Sequence, residues 1–260
     1  MHPLDRIAVN AQNKEESYID DMTESRDFYA MRPACDTEET GPNYPQIKDI
    51  TGGNWDIKDP KSMYSQFTFY STPADTTPDF GVFNLYSSSK LTDLVSNGVL
   101  GTFSLIITEK FKNTLTDFNL GTHWFFPIYL KHKSDTLKYF VLHLNNDLSD
   151  RIIYEQSIFY TQEGLIGTNK RDIVFDNDEH YLKYREELKN ESPNSIMSKT
   201  SIKAKKIVID NSLDIDIVTS KRTGIDIFIS SKLANKILER SLTGIDLKKT
   251  KKLHKNTANK

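Results

Sequence analysis

Two stretches of the chain share one order of apolar and polar positions. In Phe103 to Tyr129 (FSLIITEKFKNTLTDFNLGTHWFFPIY), Phe103, Leu105 and Ile107 alternate with other positions; Thr108 follows, and then a stripe of Phe111, Leu115 and Phe118. In Ile225 to Leu247 (IDIFISSKLANKILERSLTGIDL) the same roles fall to Ile225, Ile227 and Ile229, to Ser230, and to Leu233, Ile237 and Leu238. Alternation predicts a strand with one deeper face, and the helical spacing predicts a helix packed along its stripe. A hydroxyl at the junction accepts a free backbone N–H of the first turn, so Thr108 and Ser230 read as caps. Laying Ile107 to Leu120 over Ile229 to Leu242 pairs Lys110 with Lys232, Asn113 with Asn235 and Phe111 with Leu233. Both lysines read as structural or solvated. Gly121-Thr122 and Thr243-Gly244 supply the turns that close the units.

Elsewhere the pattern is mostly that of strands. Phe28 to Met31, Met63 to Tyr70, Phe80 to Tyr86, Lys205 to Asp210 and Ile215 to Val218 are expected to be extended, as is Arg151 to Tyr160. Trp124 to Leu130 and Tyr139 to Leu144 are expected to form a hairpin across the polar Lys131 to Thr136. Asp176 to Lys189 reads as a helix, with acids at its start, lysine at its end, and Tyr181, Tyr184 and Leu188 on one face. Few helices among many strands define an α+β fold with mostly antiparallel strands, in two lobes that each hold a strand-helix-strand unit. The expected division is an acidic N-terminal arm over 1–27, an N-terminal lobe over 28–190, a C-terminal lobe over 191–248 packed on the first as one body, and a basic flexible tail over 249–260. Glu191 to Ser201, with Pro193, is the expected linker.

Composition narrows the function. The 260 residues suffice for a real core, and a net charge of −2 gives no global attraction to nucleic acid or an anionic membrane. No run approaches the ~18 apolar residues of a membrane span, and the N-terminus lacks a basic, then apolar, leader. A cytoplasmic protein is expected. Cys35 is the single cysteine, which excludes an internal disulfide.

Candidate chemistry is sparse. Asp176-Asn177-Asp178-Glu179-His180 has the oxygen density of a calcium loop, but Tyr181 stands at its sixth position where a sharp turn is needed, so it reads as an acidic helix start. Asp214 and Asp216, with Asp210 nearby, are placed to share a cation; a metal-dependent hydrolase built on these three is the alternative from a different class. The histidines lack a two-histidine helical spacing suited to zinc, and no nucleophile elbow, phosphate loop or dinucleotide fingerprint is present. Catalytic residues, cofactors and metals are therefore expected to be absent.

The remaining order of segments resembles a known family. Ile106-Ile107-Thr108-Glu109-Lys110-Phe111 matches a strand entering a Ser-Glu-Lys-Leu-like helix start, followed by Phe125-Phe126-Pro127 and Ser157-Ile158-Phe159-Tyr160. Ile229-Ser230-Ser231-Lys232-Leu233 repeats the helix start before Leu242-Thr243-Gly244-Ile245. Over Leu91 to Tyr160 and Ile202 to Leu247 the chain resembles the eleventh immunity family of bacterial polymorphic-toxin systems, formerly a domain of unknown function. The resemblance implies a protein that binds a cognate toxin and blocks it by occlusion without turnover. A non-catalytic adaptor protein is the further alternative. Acids that meet a basic toxin cleft gain rate and specificity, which singles out Asp176, Asp178 and Glu179, with Tyr181 as an anchor. The Asp36 to Glu39 loop competes.

Overall fold

A computed structural model describes residues 28–56, 58–59, 62–67, 78–101, 103–163, 170–191, 200–212, 214–222, 224 and 226–256. In chain order these form β1 (Phe28–Pro33), α1 (Thr37–Thr40), β2 (Ile47–Thr51), α2 (Met63–Gln66), β3 (Val82–Leu85), β4 (Leu94–Val95), β5 (Ser104–Ile107) and α3 (Glu109–Leu115). There follow β6 (His123–His132), β7 (Asp135–Leu144), β8 (Ile158–Glu163), β9 (Lys170–Ile173), α4 (Asp178–Glu191), β10 (Thr200–Ile209), β11 (Ile217–Val218), β12 (Ile227–Ser230), α5 (Ser231–Glu239), β13 (Ile245–Lys249) and β14 (Leu253–Lys255). Three sheets run in the orders β2-β3-β6-β7-β5-β4, β11-β12-β1-β13 and β14-β10-β8-β9. Among the described strand pairings only β3–β6 and β10–β14 are parallel, so the fold is α+β and mostly antiparallel.

Both repeated units form, and they share a topology. In the first, β5 and β6 flank β7 and are antiparallel to it. In the second, β12 and β13 flank β1 in the same sense. Each helix therefore crosses over one intervening strand. Phe111 and Leu115 of α3 and Leu233, Ala234 and Ile237 of α5 are buried in a single cluster with Leu105, Ile107, Ile227 and Ile229, so the two units meet across one core. A second core lies beneath α4, and a third lies on the opposite face of the six-stranded sheet.

The expected boundary between 190 and 191 does not divide the sheets. β1 lies between two strands from the far end of the chain, and β10 joins β8. The tail differs as well: Leu253 is 2% exposed, and Leu253–Lys255 pairs with Ile207–Ile209. One leucine in a lysine-rich run is enough to seat a strand here, because the neighbouring Lys252 ammonium is taken up by Asp226 at 3.0 Å. Met63 begins a single helical turn instead of a strand, because Ser62 accepts from the N–H of Ser65 at 3.2 Å and Met63 and Phe67 bury at helical spacing. Within Arg151 to Gln156 only Ile152 and Ile153 are extended, Ile152 bridging Ile209; 3-10 turns at Ser149–Arg151 and Tyr154–Gln156 precede β8. The hairpin is tighter than expected, with Lys131 opposite Thr136 and His132 opposite Asp135. The expected arm over 1–27, the central part of the expected linker (192–199) and the chain end (257–260) lie outside the described residues.

Candidate functional site

The two helix starts use the same device. Thr108 Oγ1 accepts from the N–H of Phe111 at 3.2 Å and donates to Asp93 at 2.6 Å. Ser230 Oγ accepts from the N–H of Leu233 at 3.2 Å and donates to Asp216 at 2.6 Å. The second oxygen of each carboxylate reaches the other unit: Asp93 accepts from the N–H of Thr243 and Asp216 from that of Asn119, both at 3.0 Å. The matched lysines are reciprocal too. Lys110 donates to the Ser241 carbonyl just past the end of α5 at 3.1 Å, while the Lys232 ammonium lies 5.2 Å from the centre of the Phe118 ring beyond α3. A cation at a helix C-terminus complements the dipole. These groups hold two copies of one motif together.

Sequence reasoning missed Asp93, and it assigned Asp216 to a different task. The signal was present: Asp93-Leu94-Val95-Ser96 parallels Asp216-Ile217-Val218-Thr219. In each copy the two residues after the aspartate pair with that unit's own strand, Leu94 with Ile107 and Ile217 with Ile229.

The trio of the alternative reading, Asp210, Asp214 and Asp216, forms no metal group among the described residues. Asp216 is engaged as described, and Asp210 accepts from the N–H of Ser212 at 2.9 Å, which holds its carboxyl below the ordinary value. Among the described residues no three His, Cys, Asp or Glu side chains are grouped to hold a metal. Ser104 Oγ lies 2.8 Å from His143 Nδ1, a pairing suited to proton transfer, but both residues are buried. The rings of Phe67 and Trp124 flank that imidazole at 5.1 and 5.9 Å between centroids.

The acidic start of α4 is partly a structural joint. Asn177 caps the helix by accepting from the N–H of His180 at 2.8 Å. Asp178 Oδ1 accepts from Arg222 Nη2 at 2.7 Å, from Arg222 Nε at 2.9 Å, and from the Tyr154 hydroxyl. Burial works against the Arg222 charge, yet its hydrogen bonds to Tyr154 and Asp178 raise its pKa overall. The Tyr154 phenol is pushed up by burial and by its bond to Asp178. Tyr181 is 5% exposed and lies under the Arg222 guanidinium, 4.6 Å from ring centre to carbon. Of the four residues expected at a partner interface, Asp176 and Glu179 reach solvent; Asp178 is neutralised, and Tyr181 belongs to the core as a covered ring. Asp176 also pairs with His180 at 3.1 Å.

The competing loop is fixed more firmly than its sequence suggests. Asp36 caps α1 by accepting from the N–H of Glu38 at 2.7 Å. The buried Gln46 amide donates to the Lys90 carbonyl at 2.8 Å and accepts from the N–H of Ser96 at 3.0 Å, joining this loop to 86–96.

No protein-family model matches the chain, and no curated protein matches it.

Proposed function

We propose that the chain is an immunity protein that binds a cognate bacterial toxin and neutralises it by occlusion, without chemistry of its own. The order of segments that resembles the eleventh immunity family supports this reading, and so does the way polar groups are allocated. Asp216, Asp178 and the Ser104–His143 pair are engaged in a cap, a joint and a sealed contact. Tyr44 and Tyr129, by contrast, stand exposed at 60% and 58%, with no hydrogen-bond partner for either phenol among the described residues. Exposed aromatic side chains suit a protein interface, where they contribute area at small entropic cost.

A cytoplasmic site of action accompanies the proposal. Among the described residues no helix is long and apolar enough to cross a membrane. Co-expression of the full chain with the toxin domain encoded by the adjacent gene tests it: growth is restored if the reading holds. Continued toxicity with the chain present and folded sinks it. The metal-hydrolase alternative gains nothing from the geometry of Asp210, Asp214 and Asp216.

A further inference from the structure

The six-stranded sheet is covered unevenly on the face toward α3 and α5. Leu105, Ile107, Phe140 and Leu142 are sealed by Phe111, Leu115 and their neighbours. The cover stops at β6. Pro127, Tyr129 and Lys131, alternate residues on that face, are exposed. The strand register extends the open area in both directions: Tyr129 lies opposite Lys138 on β7 and opposite Val82 on β3, and Lys131 lies opposite Asn84. Tyr86, two alternations beyond Val82, is 36% exposed. Lys112 marks the border, with its ammonium 4.3 Å from the centre of the Phe140 ring.

We propose that this open half-face, centred on Tyr129 and Val82 and flanked by Lys131 and Lys138, docks an acidic surface of the protein partner. The inference rests on the immunity reading and adds to it the chemistry of a toxin face that would fit this surface. Neither lysine has an ion-pair partner among the described residues. Among the described residues the acid that the strand register places on this face is Asp49, which is held at the sheet edge by the Asn84 amide at 2.6 Å and by Lys48 at 3.5 Å. The local field is therefore positive on a protein whose net charge is −2. Charge complementarity selects an acidic partner and opposes a second copy of this chain, whose lysines would meet these. The platform is a paired β-sheet, so docking orders little backbone.

The test measures binding of the full chain to the toxin domain encoded by the adjacent gene, using the parent, Tyr129→Ala and Lys131→Glu/Lys138→Glu. Tyr129→Ala weakens binding about 30-fold, the scale of a central aromatic anchor. The double charge reversal slows association about 10-fold at low salt, and the difference shrinks as salt rises. Thermal melts of both variants stay close to the parent, because Tyr129 and Lys131 are exposed and Lys138 gives up only a solvent-facing contact with the Phe140 ring, 5.2 Å from its centre. Parent-like kinetics in both variants, with the parent still protecting cells, overturn the surface and leave the immunity reading intact. A parent chain that neither binds nor protects overturns both. Binding of single-stranded oligonucleotide by the parent that is lost on charge reversal, or a dimer of the chain abolished by Tyr129→Ala, assigns the face to another occupant and also overturns the inference.

Discussion

Arg222 and Tyr181 are stacked, with the guanidinium carbon 4.6 Å from the ring centre while the same group donates twice to Asp178. The arginine joins the segment before β12 to the first turn of α4. Its position explains why an acidic helix start contributes to stability here. Arg222→Ala is expected to cost about 3 kcal/mol in urea unfolding, near the low end for a buried pair because Asp178 keeps partial contact with water. Arg222→Lys recovers less than half of that, since an ammonium cannot offer two coplanar N–H groups and stack.

The reciprocal carboxylates set a second expectation. Asp93→Asn and Asp216→Asn each replace one of two accepting oxygens by a donor, so either the hydroxyl or the backbone N–H loses its acceptor, at an expected cost of about 2 kcal/mol. The doubly substituted chain should lose less than the sum, because both residues clamp the same pair of units. Chemical denaturation of the four species measures this coupling. Strict additivity would show that the two clamps act independently.

Acid and alkali act on different groups. Burial pushes the Asp226 carboxyl up, but the hydrogen bond and charge of Lys252, and then those of Arg32, hold it below its ordinary value. Its contribution is complete above the unfolded aspartate value of about 3.9 and is lost as pH falls through the lower folded value. Asp226→Asn should therefore flatten the fall in stability below about pH 4. At the other end, burial and then the Asp93 charge push Tyr139 up to about 12. Its contribution is full below the unfolded tyrosine value of about 10 and is lost as pH rises through the folded one, so Tyr139→Phe should flatten the fall in stability above about pH 10. Stability curves against pH for the two variants check both signs.

Two glycines give a controlled comparison. At Gly244, φ is +77° and an added Cβ would stand 2.2 Å from the Leu94 carbonyl oxygen and 2.6 Å from Thr92 Cβ, so the backbone joining the two units must move. Gly224 has φ +91°, and among the described residues nothing lies within 4 Å of an added Cβ. Gly244→Ala should cost more than about 3 kcal/mol, and Gly224→Ala only the conformational strain of about 1 kcal/mol. Thermal melts rank the pair, and equal losses would remove the steric account.

The two strand-helix-strand units were legible because everything that forms them is local: alternation, a hydroxyl at the junction, then a stripe at helical spacing. Thr108 and Ser230 cap as their positions predict. What joins the units was less legible, since Asp93 and Thr243 are 150 residues apart and no local period connects them. The burial of Tyr181 was hidden for a similar reason. Its cover is Arg222, on the far side of the segment outside the described residues, and a tyrosine near acids gives no sign of such a lid. Aromatic alternation at Met63 misled because one helical turn buries positions four apart while looking, over so short a stretch, much like a strand.

The central place of β1 also has a consequence for synthesis. Its neighbours on both sides are encoded far downstream, and 194 residues separate Arg32 from its partner Asp226. At ~5–20 residues per second, β1 waits on the order of 10–40 s after it is made before either edge can be paired. During that interval Phe28, Tyr29 and Met31, all buried at the end, belong to a nascent chain with no sheet to enter. Ribosome-bound chains halted before β12 should therefore be held by chaperones and cut readily by protease, and release to full length should close the sheet in one late step.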